Sequence, residues 1–205
     1  MSLVSRRPVR IALAGMGALI LGGISTAAMA DEEVGADDIE IDVEITEIDE
    51  PGILAMTVAG SSISLTEDGS NEAVRQFIGE LPTVTVTDTR SSEEIPEGVY
   101  WSVLGSTTDF VTEDGESTIS AANLGWVPEL IDGGEQGLVS EGDEVDSAVD
   151  GGPGLVDQEL LTMAYDSAAI AEEGQWTATA DLVLRTEPTV DPGDYTSTLT
   201  LSLFE

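Results

Sequence analysis

The chain has no cysteine, no histidine and no lysine, and only nine of its 205 residues are aromatic (Trp 3, Tyr 3, Phe 3). Each absence removes a class of chemistry. Without cysteine no disulfide can staple the fold, so stability must come from apolar burial, which a hydrophobic content of 41% permits. Without histidine or cysteine there is no Ser-His-Asp triad, no thiolate nucleophile and no ordinary zinc or copper site. Without lysine there is no Schiff base and no Ser-Lys dyad. A two-carboxylate glycosidase remains formally open. With 41 acids, however, the sequence singles out no pair, and the chain reads as a non-enzyme without a resident cofactor.

Positive charge is scarce and unevenly placed. Of six basic residues, all arginine, Arg6, Arg7 and Arg10 precede a short Gly/Ala/Leu-rich run from Ile11 to Ile24. Ala28-Met29-Ala30 then stands directly before the acidic Asp31. A basic n-region, a short apolar h-region and an A-x-A site make residues 1–30 an export signal. The apolar run falls short of the roughly 20 residues that a membrane span needs. The mature chain is therefore expected from residue 31 onward, with no span and no covalent lipid or sorting anchor, and secreted.

Removal of the signal leaves Arg75, Arg90 and Arg185 against 41 acids, a net charge of 3 − 41 = −38. Such a surface repels nucleic-acid backbones and anionic polymers alike. The acids read mainly as a solubilising surface. Self-repulsion of that size predicts a fold more stable in salt than in dilute buffer.

Period-two alternation dominates what remains. Ile39, Ile41, Val43 and Ile45 alternate with Glu40, Asp42, Glu44 and Thr46. Val84 and Val86 alternate with Thr83, Thr85 and Thr87, and Leu199, Leu201 and Leu203 alternate with threonine and serine. Asn71 to Ile78 fits either a short helix or a strand. From 131 to 157 the composition turns to Gly, Asp and Glu, which reads as a long, mobile acidic excursion with a short strand near Leu138-Val139. The pattern predicts one all-β domain over 31–205, an antiparallel sandwich of immunoglobulin-like, Greek-key type with about eight to ten strands.

Three groups of residues stand out. Asp88 and Arg90 continue the apolar phase of Val84 and Val86, so Arg90 is expected to be a structural arginine paired with Asp88 or a neighbouring acid. Tyr100 and Trp101 are adjacent in a strand, so one of them faces outward, and Trp126 lies at a turn. These three are the candidate ligand contacts, because exposed Tyr and Trp faces stack on sugar rings. Calcium is the ion that suits so many oxygens, with Glu113-Asp114-Gly115-Glu116 and Asp143-Glu144-Val145-Asp146 as the runs to consider. Neither run has the spacing that wraps one ion, and both read as solvated turns.

Leu81-Pro82-Thr83-Val84-Thr85-Val86-Thr87-Asp88-Thr89-Arg90, Tyr100-Trp101-Ser102-Val103, Thr108-Asp109-Phe110 and the closing Pro192-Gly193-Asp194-Tyr195-Thr196-Ser197-Thr198-Leu199-Thr200-Leu201-Ser202-Leu203 together resemble a WxL domain over about 81–205. The W-x-L motifs are degenerate: Trp101-Ser102-Val103 occupies the first, and the last strand carries Leu199-Thr200-Leu201 or Leu201-Ser202-Leu203 in place of the second. The resemblance implies a domain exported by Gram-positive bacteria, held non-covalently at the cell wall and implicated in peptidoglycan binding, in some cases within surface complexes. The leading expectation is thus a secreted, non-catalytic protein that binds cell-wall glycan or other surface proteins. The alternative is a structural subunit of an extracellular fibre or surface complex, assembled through sheet edges with Asp31 to Ile48 as the exchangeable strand.

Overall fold

The computed structural model describes residues 51–205; the expected export signal at 1–30, the alternating run at 39–46 and the segment at 31–48 expected to exchange lie outside the described residues. What is described is all-β, with 13 strands in three antiparallel sheets. The first sheet contains β1 (Leu54–Val58), β2 (Thr66–Glu67), β3 (Arg75–Glu80), β4 (Val84–Asp88), β8 (Leu124–Asp132) and β11 (Gln175–Thr186). The second runs β13 (Leu199–Phe204), β5 (Ser102–Thr107), β10 (Glu159–Ala164), β9 (Val139–Glu141). A small third sheet joins β12 (Tyr195–Thr196), β6 (Phe110–Thr112) and β7 (Thr118–Ile119).

The first sheet is simpler than its strand count suggests. β4 pairs with Gln175 to Ala178 of β11, and β3 pairs with Asp181 to Thr186 of the same strand. β3 and β4 are thus two halves of one long strand, interrupted at Pro82. Proline has no N–H to give the ladder. The register against β11 slips by one residue across the break, from Glu80↔Asp181 to Val84↔Ala178, and Thr179 Oγ1 donates to the Leu81 carbonyl at 2.5 Å to restore a bond there. β1 pairs β4 and β2 pairs β3, so they edge the two halves in turn. Asn71 to Ile78, open between helix and strand in the sequence, contributes the start of β3. Asn71 Oδ1 accepts from the amides of Ala73 and Val74 and turns the chain into it.

The core lies between the two large sheets and is built around three tryptophans. Trp101 immediately precedes β5, Trp126 is in β8 and Trp176 is in β11; they are 0%, 1% and 2% exposed. The rings of Trp101 and Trp176 meet at a centroid distance of 5.4 Å and an interplanar angle of 42°. The Trp126 ring lies on the backbone of Gly105, where a Cβ would stand 2.6 Å from its Cη2. Val84, Val86, Val103 and Leu161 complete the sandwich interior.

The acidic excursion is not the loose loop that its composition suggests. Val145 bridges Trp126 with two backbone hydrogen bonds of 2.9 and 3.0 Å. Leu155, fully buried, donates its N–H to the Leu124 carbonyl and accepts from Thr107 N–H, so its backbone joins the two large sheets. The close approach requires glycine at 125, where a Cβ would lie 2.4 Å from the Val145 carbonyl oxygen. Three apolar anchors, Val139, Val145 and Leu155, outweigh the solvation of the acids between them. No helix among the described residues is long and apolar enough to cross a membrane.

Candidate functional site

The sequence candidates divide between the core and one outer surface. Trp101 and Trp126 are buried, which corrects their assignment as glycan contacts: neither ring is available to a ligand. Trp101 is in phase with Val103 and Gly105, the inward positions of β5, and Trp126 sits in the middle of β8 instead of in a turn. The indole nitrogens of both are buried without a hydrogen-bond partner among the described residues, whereas Trp176 Nε1 donates to Glu173 at 3.0 Å. Tyr100 takes the opposite phase and is 53% exposed.

Tyr100 opens onto the outer face of the four-stranded sheet. Ser102, Leu104 and Ser106 of β5 face the same way, opposite Phe204, Ser202 and Thr200 of β13. On the other side Met163 pairs Ser102 and Leu160 pairs Leu104, and Ser140 of β9 stands beside Met163. Ala164 N–H donates to the Trp101 carbonyl at 2.9 Å. One step further along that register, Tyr165 stands opposite Tyr100. Tyr165 is 58% exposed, and its hydroxyl lies 3.1 Å from Ser140 Oγ.

None of these outward positions carries a charge, in a chain with 41 acids. The face instead offers aromatic rings, thioether and aliphatic surface, and a scatter of hydroxyls. That composition can stack on and hydrogen-bond to a neutral, hydroxyl-rich ligand. Tyr165 escaped sequence reasoning for a physical reason. The register shifts between Leu160 and Thr162, which reverses the alternation midway through the run that contains it.

Asp88 and Arg90 form a forked ion pair, with Nε–Oδ1 at 2.8 Å and Nη2–Oδ2 at 2.7 Å. Asp88 lies on the inner face with Val84 and Val86 and is 1% exposed. The Arg90 backbone N–H also reaches Asp88 Oδ1 at 3.1 Å, and its Nη1 reaches Glu205 at 2.5 Å. The Asp88 hydrogen bonds are the main reason that the guanidinium pKa rises above its ordinary value, against the opposing effect of desolvation, with Glu205 assisting. Arg75 pairs Glu67 at 2.9 Å, and Arg185 pairs Asp150 and donates to Gln76 at 2.8 Å. Every arginine among the described residues therefore already has a carboxylate.

Of the acidic runs considered for calcium, the first is a hairpin turn. Asp114 accepts from Thr112 Oγ1 at 2.7 Å and from the Glu116 amide at 3.1 Å within the β6–β7 hairpin. Those two bonds, the hydroxyl first, hold its carboxyl below the ordinary aspartate range. In the second run Val145 is consumed by its bridge to Trp126. Among the described residues no three acids converge as a metal site would require. Comparison with family models, with curated proteins and with solved structures finds no match for this chain.

Proposed function

We propose that this is a secreted, non-catalytic binding protein of the cell surface or cell wall, WxL-like over 81–205, which holds neutral stretches of wall glycan on the outer face of the four-stranded sheet. Tyr100 and Tyr165 are the stacking residues, with Ser102 and Ser140 beside them. The single observation that carries the reading is the exclusion of charge. A chain with 41 acids leaves one whole sheet face without any, and two of its nine aromatic residues stand there opposite one another and exposed. A body of this charge repels anionic polymers, so the ligand that such a face selects is uncharged where it makes contact.

The test is a pull-down of the exported chain on insoluble peptidoglycan. Stacking is worth about 0.5–1.5 kcal/mol per ring, so Tyr100→Ala with Tyr165→Ala is expected to weaken retention about tenfold or more. Retention unchanged in the double variant would remove the site. A wild-type chain that does not sediment with the polymer would remove the reading altogether.

A further inference from the structure

A second surface, distinct from that face, lies along one side of the sandwich. β8 and β9 lie on the same side of their respective sheets, where Val145, just beyond β9, bridges Trp126 of β8. β1 and β13 are the outermost strands on the opposite side. Arg90, just past β4, and Glu205, just past β13, tie the two sheets together at one end of that side. No strand pairing joins β1 to β13, so among the described residues two sheet edges border an open seam.

Edge strands are normally guarded by charge, proline or a bulge, because their free backbone groups recruit other strands. These two have none of those guards. Residues 51–66 and 195–204 carry no charged side chain. β1 pairs β4 over five residues and β13 pairs β5 over six, both in unbroken register. The opposite edge, by contrast, carries Pro128 and Glu129 in β8 and Glu141 in β9.

The inner side chains at the seam are correspondingly unfinished. Leu54 and Met56 on β1 and Leu199, Leu201 and Leu203 on β13 are only half-buried, and Val58 is 38% exposed. Their counterparts one strand inward, Val86 and Val103, are 1% and 0% exposed. An added strand with apolar residues at alternate positions would cover these leucines with one face and pair its backbone with the edge of β13 that has no strand partner among the described residues. The end of the seam away from the Arg90–Glu205 pair is acidic: Asp191 and Asp194 precede β12 and β13, and Glu67 and Asp68 end the run that begins at β1.

We propose that this seam accepts an extended segment of a partner protein, paired along β13, with aliphatic residues at alternate positions and Lys or Arg at the end that meets these acids. The negative field concentrates such a segment, and the acids at that end of the seam match its charge. A strand that sets acids there would be repelled at the same place.

The probe is a nine-residue peptide of alternating valine and threonine with a lysine at each end, added to the exported chain. Hydrogen exchange of the β13 amides is expected to slow about tenfold or more at about 1 mM peptide. The same peptide ending in glutamate should protect at least about tenfold less, and added salt should narrow the difference. Leu201→Lys, which sets a charge inside the seam, should abolish protection. Met56→Lys on the opposite rim replaces it if that variant does not fold, as judged by tryptophan fluorescence. Absence of protection, or equal protection by the two peptides, would overturn the proposal. So would β13 amides that are already protected without peptide and become exposed when residues 31–48 are deleted, or protection that follows a concentration-dependent rise in mass by light scattering. Those last outcomes would assign the seam to the chain's own segment or to a second copy.

Discussion

Asp88 sits at 1% exposure among valines, where an ionised carboxylate persists only if its lone pairs are filled. Arg90 fills them with a two-pronged contact and its own backbone N–H. Arg90→Ala would leave that carboxylate with none of these side-chain donors. Breaking a buried pair from one side costs about 3–5 kcal/mol. Here the guanidinium side chain keeps 12% exposure and one arm on the half-exposed Glu205, so a loss of about 2–4 kcal/mol is expected. Urea unfolding measures it, and a variant that unfolds at the wild-type midpoint would refute the structural role. Arg75→Ala, at an exposed pair, should unfold with wild type. This pair was legible in the sequence because alternation alone carries position 88 onto the valine face. Adjacency alone left open which member of Tyr100-Trp101 faces inward, and Trp101 was misassigned although the phase of Val103 carries the signal. That Trp126 is buried was not legible, because a tryptophan between glycine and proline gives no sign that the chain there is mid-strand.

Elements with uninterrupted alternation, such as β4, β11 and β13, follow directly from the sequence. Where the ladder slips, the pattern misleads. The bulge at Leu161 hid Tyr165, and Pro82 disguised one long strand as two. The acidic excursion misled for a different reason: its anchors are single apolar residues far apart, with no periodicity to announce them. Packing between elements is equally silent in the sequence, and Gly105 shows why. It lies in a strand, where glycine costs stability, yet a Cβ there would meet the Trp126 ring at 2.6 and 2.9 Å. Gly105→Ala is therefore expected to destabilise the domain by about 1–3 kcal/mol, the usual cost of overpacking. The indole has to move to make room, so tryptophan emission should shift in the folded state. An alanine variant as stable as wild type, with unchanged emission, would show that β5 and β8 do not approach as closely as described.

For the whole molecule the governing quantity is the distribution of charge. Three arginines oppose 41 acids downstream of residue 30, and each arginine is already paired within the described residues. Salt acts on this in two directions. It weakens the exposed pairs, whose contribution is small, and it screens repulsion among the many acids that have no cation to face. The second effect involves far more groups and should win. Raising NaCl from about 0.01 M to about 1 M shortens the screening length from about 30 Å to about 3 Å. If that recovers about 2 kcal/mol, a chain of this size gains about 4–8 °C in melting temperature. Calcium chloride at matched ionic strength separates screening from binding. An equal rise is expected, because no three acids converge among the described residues and Asp114 already accepts from the Thr112 hydroxyl and the Glu116 amide. A larger rise with calcium would mean that the turns rearrange to hold the ion, and no rise with either salt would mean that the acids are spaced too widely for repulsion to limit the fold.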